Sequence, residues 1–332
     1  MEILVAMPVG DVRNSFFPDE VIRKVESLGN VTWNTSQKQF SKKELKEAIK
    51  SADVCITGWG CECLDMSILE TAQKLKIVAH TGGTVVPYVS DFLYNRGIKV
   101  ISGNTIYAES VSEGVVAYIL AALRQIPFYA NEVQAGRWRN DDAYNESLLD
   151  KTVGIVGYGM VAGYLVKMLK PFRVKIKIYA SHVTEEVCRK NKFEKAETLE
   201  EIFSTCKIIS LHNSLTPETH HMIGKDLLQL VSEGALLVNT ARGAIIDEKA
   251  LEEELHKKRF NAILDVYEDE PLPPESKLRN LDNVILMPHM AGPTADRKGI
   301  VTSELLDDIA NFFGGIQLKY EISKEYAAFM TR

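Results

Sequence analysis

The chain has 332 residues, of which 45% are hydrophobic and 25% are charged, the balance of an ordinary globular protein. This length is enough for two domains, because a single hydrophobic core rarely grows beyond about 250 to 300 residues. The net charge of -6 comes without a cluster of basic residues, so we expect no nucleic acid as a partner.

Location and metal content follow from the start of the chain and from its cysteines. The chain opens on a strand-like run without an export signal, and no apolar stretch reaches the roughly 18 to 20 residues of a membrane span. Five cysteines, an odd number, suit a reducing compartment, and we expect a cytoplasmic protein without a membrane partner. Cys61 and Cys63 lack a second Cys or His pair at ligand spacing, so we expect no metal site.

The first hundred residues read as an α/β unit, in which short β-branched runs alternate with amphipathic helices. A capping box at Ser41 and Glu44 predicts the start of a helix, and Gly29 and Gly97 predict helix ends. The predicted strands are Ile3 to Ala6, Val54 to Thr57, Ile77 to His80 and Lys99 to Ile101.

The segment from Ser110 to Gln125 is apolar over most of its circumference, which predicts a buried helix. Such a helix could run between two domains or pack in a subunit interface, and the sequence leaves both open. A second α/β series begins at Thr152 and predicts a parallel sheet covered on both faces. Its predicted strands are Val153 to Val156, Val174 to Tyr179, Ile208 to Leu211, Ala235 to Asn239, Ala262 to Asp265 and Val284 to Met287.

A glycine motif follows the first strand of this second series. Residues 153–163 read V-G-I-V-G-Y-G-M-V-A-G, which is a strand, then G-x-G-x-x-A, then a helix predicted from Tyr164 to Leu169. Gly157 would make the tight turn, Gly159 would let the backbone approach a pyrophosphate, and Ala162 would fill the position where helix meets strand. A glycine-rich turn without a ligand is the alternative, but the strand and helix around it favour dinucleotide binding.

Three chemically active side chains stand just past later strands, where ligands bind in open α/β sheets. Arg242 has a guanidinium that could hold a carboxylate through two hydrogen bonds, although a surface ion pair is the simpler alternative. Glu270 and His289 could form an acid/base pair in which the carboxylate fixes the tautomer of the imidazole and favours its protonated form. Taken singly, each would more often be a solvated acid or a structural histidine.

These motifs, in this order, resemble the D-isomer-specific 2-hydroxyacid dehydrogenase family over roughly residues 50 to 295, including the runs 211–219 and 136–138. The resemblance implies an α/β fold of two Rossmann-like, doubly wound, parallel-sheet domains with an interdomain cleft. Residues 1–103 and 297–332 would form a flavodoxin-like substrate-binding domain. Residues 104–296 would form the dinucleotide-binding Rossmann domain, and we expect a homodimer.

The resemblance also implies a role for individual residues. Arg242 would bind the substrate carboxylate and carbonyl oxygen, His289 would exchange the proton, and Glu270 would orient His289. Asp265 would face the nicotinamide amide. The residues expected at the cofactor are Gly157, Gly159, Met160, Val161, Ala180, Ser181, His212, Thr216, Thr240, Ala241 and Asp265. Those expected at the substrate are Trp59, Gly82, Gly83, Thr84, Asn104 and Arg242.

Two positions depart from the family pattern. Ser214 stands where the family usually has proline, in a loop that contacts the cofactor. Ala180 stands where an acidic residue commonly ends the second strand, accepts hydrogen bonds from the adenosine ribose and repels a 2'-phosphate. NAD is the expected cofactor, but nothing at Ala180 excludes NADP, and Ser181 and His182 could donate hydrogen bonds to a phosphate.

The function expected from these features is NAD(P)-dependent hydride transfer between a small 2-keto acid and a D-2-hydroxy acid. One alternative is a non-catalytic, NAD(H)-sensing protein of the corepressor type, against which the complete Arg/Glu/His set argues. A second alternative is formate oxidation, which in related enzymes accompanies glutamine in place of the acid. Glu270 therefore argues against that activity.

Overall fold

The computed structural model describes residues 1–140 and 144–331, and the chain divides into two compact units. The first unit comprises Met1–Tyr107 and Pro293–Arg332, and the second comprises Ala108–Gly292. The sequence places these boundaries after residues 103 and 296. Arg332, the last residue of the predicted C-terminal segment, lies outside the described residues.

The first unit contains a five-stranded, all-parallel sheet in the order β2-β1-β3-β4-β5. This is the flavodoxin-like strand order. Alternate residues of β1 pack into separate hydrophobic clusters, Leu4 into one and Ile3 and Val5 into the other, so both faces of the sheet are covered. The strands are β1 (Glu2–Val5), β2 (Asn30–Trp33), β3 (Val54–Thr57), β4 (Ile77–His80) and β5 (Lys99–Ser102).

The helices of the first unit begin and end largely at the signals in the sequence. Ser41 and Glu44 form the predicted capping box, and Gly29 follows the last residue of its helix directly. Gly97 lies two residues beyond the end of its helix, with a φ of +73°. The helices are α1 (Asp11–Phe16), α2 (Asp19–Leu28), α3 (Lys42–Ala48), α4 (Met66–Leu69), α5 (Asp91–Asn95), α13 (Ala295–Phe313) and α14 (Lys324–Ala327), numbered in chain order.

The second unit contains a seven-stranded, all-parallel sheet in the order β12-β11-β10-β9-β6-β7-β8. The two sheets confirm the predicted α/β class. The chain winds outward from β6 in one direction and returns to β9 on its other side, so the order of strands reverses between β6 and β9. The strands are β6 (Thr152–Val156), β7 (Lys175–Tyr179), β8 (Glu194–Lys195), β9 (Ile208–Leu211), β10 (Leu236–Asn239), β11 (Asn261–Leu264) and β12 (Val284–Leu286).

Two strands, β2 and β8, are absent from the sequence predictions. β2 lies at a sheet edge, and its residues alternate between exposed and half-buried, so no continuous apolar run marks it. β8 also lies at an edge and consists of two charged residues. Pairing with a neighbouring strand, and not side-chain pattern, makes these segments extended.

The helices of the second unit cover its sheet on both faces. α8 begins at Met160, four residues before the start predicted from sequence, because the turn of the glycine motif leads directly into it. The helices are α7 (Ile126–Gln134), α8 (Met160–Leu169), α9 (Glu185–Asn191), α10 (Leu199–Thr205), α11 (Lys225–Leu230) and α12 (Glu248–Leu255), with 3-10 turns at Lys170–Phe172, Gly243–Ile245 and Lys277–Asn280.

The helix α6 (Asn104–Leu123) corrects two expectations. By length and composition it is apolar enough to cross a membrane, because Glu109 and Glu113 are its only charged residues, whereas the sequence analysis found no such stretch. Core helices meet the same criterion, and Val115, Ile119 and Leu123 are buried in the core of the second unit. The helix is also less buried than predicted, since only 39% of its most apolar window is inside the protein.

Candidate active site

The glycine motif forms a tight turn at the carboxyl end of β6. Gly157 has a φ of +90°, and a Cβ there would lie 2.9 Å from the backbone of His212 and Asn213, so glycine alone fits this turn. Gly159 precedes α8, and no atom lies within 4 Å of the position its Cβ would take. The turn thus packs tightly on one side and leaves open space on the other.

Several polar groups at this edge of the sheet have no partner among the described residues. No side chain caps the N-terminus of α8, and the buried atoms Thr240 Oγ1 and Asn213 Oδ1 make no hydrogen bond. Buried polar atoms are nearly always satisfied, so their orphaned state here is compatible with a bound ligand. The N-terminus of a helix, with its outward-facing NH groups and the positive end of the helix dipole, suits a pyrophosphate.

The end of β7 carries no carboxylate. Ala180 is buried and Ser181 exposed, and the first turn of α9 carries Glu185 and Glu186. His182 Nε2 lies 2.8 Å from the carbonyl oxygen of Tyr158, the residue between the two motif glycines. A carbonyl only accepts hydrogen bonds, so Nε2 carries a proton and the His182 ring is tethered beside the turn.

The loop after β9 holds a neutral histidine. Burial lowers the pKa of His212 to about 4, and its Nε2 lies 2.8 Å from Ser210 Oγ. Thr216 and Ser214 are both tied to Thr219, whose hydroxyl accepts from the Thr216 NH and donates to the Ser214 carbonyl. These bonds give the loop a defined shape even though Ser214 replaces the family's proline.

Arg242 follows β10 at the same edge. Asn239 fixes its turn, since its side chain accepts from the Ala241 NH and donates to the Arg242 carbonyl. Among the described residues the guanidinium donates one hydrogen bond, to the Ala241 carbonyl at 2.6 Å. Burial lowers the pKa of Arg242, and the Glu270 carboxylate partly opposes that shift. A mostly unpaired, desolvated guanidinium is suited to bind an anion.

Glu270 and His289 form a direct pair. His289 Nδ1 lies 2.7 Å from Glu270 Oε2, and both side chains are partly exposed. The other carboxylate oxygen, Oε1, accepts a hydrogen bond from the backbone NH of Tyr267 at 3.1 Å. Because Glu270 is held through both oxygens, it fixes the orientation of the His289 ring and leaves Nε2 free for a ligand.

The loops that carry Arg242, Glu270 and His289 pack against one another. A Cβ on Gly243 would lie 1.9 Å from the carbonyl carbon of Tyr267, so only glycine allows this approach. The Tyr267 hydroxyl donates to the Met287 carbonyl, two residues before His289. Tyr267 therefore connects the three loops.

The substrate residues expected in the first unit lie mostly in one cluster. A Cβ on Gly82 would lie 2.5 Å from His80 Nε2 and 2.8 Å from Trp59 Nε1, while Gly83 lies beside Asn104. Burial lowers the pKa of His80 to about 3, so the ring below this loop is neutral. Thr84 differs, because its hydroxyl donates to the Thr331 carbonyl at 2.8 Å.

Known proteins resemble this chain in sequence and in fold. The family model for the D-isomer specific 2-hydroxyacid dehydrogenase NAD binding domain matches residues 116–291, more than half of the chain. The chain belongs to this family. It is 32% identical over 306 residues to the D-3-phosphoglycerate dehydrogenase of Methanocaldococcus jannaschii, covering 88% of this chain and 57% of that protein.

Other relatives of this 2-hydroxyacid dehydrogenase family member match over most of their own length. The hydroxypyruvate reductase of Thermotoga maritima is 32% identical over 282 residues, covering 84% of this chain and 90% of that protein. The crystal structure of a Thermus thermophilus protein has a TM-score of 0.78 at 25% identity, covering 97% of this chain and 100% of that chain. The chain spans less than three fifths of the phosphoglycerate dehydrogenases that it matches, 57% and 59%.

Sequence reasoning missed residues that hold the loops of the candidate site in place but carry no acid, base or cation of their own. Tyr267 fixes both Glu270 and Met287, and Tyr118, on α6, donates to Asp265. His80 and Tyr107 line the Gly82 and Gly83 loop of the first unit. Tyr267 had a usable signal, because it lies between Asp265 and Glu270 just past a strand. Tyr118 had none, since it looks like one more residue of an apolar helix.

Proposed function

We propose that the protein is an NAD(P)-dependent oxidoreductase that interconverts a 2-keto acid and a D-2-hydroxy acid. The observation that supports this most directly is the His289–Glu270 pair at 2.7 Å, in the same unit as Arg242 and the glycine turn. An acid/base pair, an unpaired guanidinium and a dinucleotide fold are together what reduction of a keto acid requires.

Arg242 is assigned to the substrate carboxylate and to the carbonyl oxygen. Its guanidinium keeps most of its donors free, and it remains charged even where burial lowers its pKa. Negative charge grows on the carbonyl oxygen as the keto acid is reduced, and Arg242 is placed to stabilise that charge. The buried surroundings strengthen this interaction relative to water.

His289 is assigned to proton exchange. Its Nδ1 bonds to Glu270, so Nε2 is the atom that gives a proton to the oxygen in reduction and accepts it in oxidation. Glu270 holds the ring in the orientation that this proton transfer needs. The bound nicotinamide would supply or accept the hydride.

The cofactor is assigned to the turn from Gly157 to Val161, with the pyrophosphate at the start of α8. The open space at Gly159 and the orphaned Thr240 hydroxyl support this assignment. We assign NAD as the preferred cofactor. Discrimination against NADP is expected to be weak, because Ala180 presents no charge to a 2'-phosphate. Met160, Ala241 and Thr216 complete the expected contacts.

The substrate loop of the first unit is assigned to Gly82, Gly83 and Thr84, with Trp59 and Asn104 beside it. In this proposal the loop's backbone NH groups bind the substrate carboxylate. The neutral His80 below the loop adds no charge of its own. We expect substrates with a 2-keto acid or 2-hydroxy acid head group, as in the relatives named for hydroxypyruvate and for phosphoglycerate.

The active form is expected to be a cytoplasmic homodimer. None of the residues of α7 is buried, and Ile126, Phe128 and Val133 are all more than half exposed. Such a concentration of exposed apolar side chains is typical of a surface that binds another protein. All five cysteines are unpaired, which suits a reducing compartment. Sedimentation of the wild type and of Phe128→Glu would test the dimer.

The decisive experiment is turnover of NADH and NADPH with a panel of 2-keto acids, among them glyoxylate, hydroxypyruvate and pyruvate. The expected result is oxidation of the cofactor with at least one of them, with a D-2-hydroxy acid as product. Tight cofactor binding without turnover of any keto acid would instead favour the non-catalytic, NAD(H)-sensing alternative.

A further inference from the structure

Asp265 lies just after β11 and makes three hydrogen bonds in the interior of the second unit. Only 1% of its surface is exposed. Oδ1 accepts from the backbone NH of Met290 at 2.8 Å and from the Tyr118 hydroxyl at 3.2 Å, and Oδ2 accepts from the backbone NH of Ala291 at 2.9 Å. Both NH donors belong to residues that directly follow His289.

His289 has an unusual backbone conformation. Its φ is +55°, in the left-handed region that residues other than glycine avoid. Such a conformation is strained and persists only where the surroundings hold it. Apart from its bond to Glu270 the His289 side chain is exposed, so we look for the further restraint in the backbone on either side.

The structure provides that restraint on both sides of His289. On one side, the Tyr267 hydroxyl binds the Met287 carbonyl. On the other side, α6 packs closely against the turn, since a Cβ on Gly114 would lie 2.9 Å from the Ala291 carbonyl oxygen. The Asp265 carboxylate then binds the two NH groups between these points. Tyr118, one helical turn beyond Gly114, completes the contact.

We propose that Asp265 and Tyr118 are positioning residues that hold the left-handed turn at His289, and thereby keep its imidazole in line with Glu270. This inference rests on the proposed function, because it explains how the proton donor is held. It gives Asp265 a task different from the nicotinamide contact implied by the family resemblance. It also gives α6 a task beyond packing.

The chemistry of the site requires a carboxylate. Three donors converge on two acceptor oxygens, and a carboxylate can accept all of them. Asparagine would place an amide NH2 against a backbone NH or the Tyr118 hydroxyl and would lose at least one bond. Burial and the Asp265 charge both raise the pKa of Tyr118, so its hydroxyl remains a donor over the working pH range.

The test compares Asp265→Asn and Tyr118→Phe with Asp308→Asn. Asp308 is a matched control in the first unit, equally buried at 1%, whose carboxylate accepts from the backbone NH groups of Lys319 and Tyr320. Hydrogen–deuterium exchange of the peptide with Met290 and Ala291, NADH affinity, kcat and KM are measured for each. Tyr118→Phe keeps the bonds from the Met290 and Ala291 NH groups to Asp265, so it still tests the inference if Asp265→Asn does not fold.

We expect Asp265→Asn to accelerate exchange in the 290–291 peptide and to lower kcat by up to about 100-fold, since small displacements of a catalytic group are costly. Tyr118→Phe should lower kcat about threefold, the effect of one hydrogen bond. KM and NADH affinity should stay within about twofold in both. Asp308→Asn should change neither exchange at 290–291 nor kcat.

Two results would overturn the inference. A large loss of NADH affinity in Asp265→Asn, with unchanged exchange at Met290 and Ala291, would show that Asp265 contacts the nicotinamide. If Asp265→Asn changes neither exchange nor kcat, the turn at His289 does not depend on the Asp265 carboxylate. If no keto acid is turned over by the wild type, the proposed function fails, whereas exchange still decides whether the Asp265 contact holds the turn.

Discussion

The two parallel sheets place their candidate residues alike, just past the carboxyl ends of strands, but the two sets are suited to different kinds of recognition. In the second unit the groups are ionisable, namely Arg242, Glu270 and His289. The Tyr267 NH donates to Glu270 and the Asp265 carboxylate accepts from the Met290 NH, and these bonds hold the loops. In the first unit they are a glycine loop, a neutral histidine and a tryptophan. The second unit therefore offers side chains that can exchange protons or bind anions, whereas the first unit offers a shaped surface and backbone NH donors.

The largest expected effect comes from removing the charged groups. His289→Ala and Arg242→Ala should each lower kcat/KM by about 100- to 10,000-fold, the usual contribution of a positioned acid/base or transition-state donor. Cofactor affinity should stay near the wild-type value, because both side chains lie outside the glycine turn. Initial rates with the best keto acid, and NADH binding by fluorescence, measure the two quantities. Rates close to wild type in His289→Ala would assign the proton to another group.

The corresponding change in the first unit is Gly82→Ala. The added Cβ would lie 2.5 Å from His80 Nε2, which is buried and cannot move away easily. The loop must shift, and we expect KM for the keto acid to rise by about tenfold or more with little change in NADH affinity. Gly224→Ala is the control, since no atom lies within 4 Å of its added Cβ. If the two substitutions change KM equally, the Gly82 loop does not bind the substrate as proposed.

The same difference explains what the sequence could predict. Charged residues just past strands, and glycines in the G-x-G-x-x-A turn, leave a local pattern, so the parallel sheets and the Arg242, Glu270 and His289 set could be predicted. Residues that act through contacts distant in sequence leave none. Tyr118 donates to Asp265 across 147 positions of sequence, and the edge strand β2 pairs with β1, which lies about 28 residues earlier in the chain. Such features depend on tertiary packing, which periodicity does not encode.

Glu270→Gln should have a smaller effect and a characteristic pH signature. Glutamine can still accept a hydrogen bond from His289, but it carries no charge beside the imidazole, so the pH profile of reduction should differ from that of the wild type. Burial lowers the pKa of His80 to about 3 and that of His212 to about 4, so neither changes charge near neutral pH. We expect kcat at neutral pH to fall about tenfold. An unchanged profile would point to Asp269 or Glu268 as the partner.

The smallest expected effect concerns the cofactor. It tests whether a charge at the end of β7 decides between NADH and NADPH. Ala180→Asp would place a carboxylate at the end of β7, beside the His182 ring that Tyr158 tethers. A carboxylate there repels a 2'-phosphate and accepts hydrogen bonds from a ribose, so NADPH should lose kcat/KM by about tenfold relative to NADH. Ala180→Asn is the control, because it has similar size without charge. The wild type should use both cofactors, with NADH modestly ahead. Strong rejection of NADPH by the wild type would mean that another group already distinguishes a ribose 2'-hydroxyl from a 2'-phosphate, and His182 is the nearest candidate.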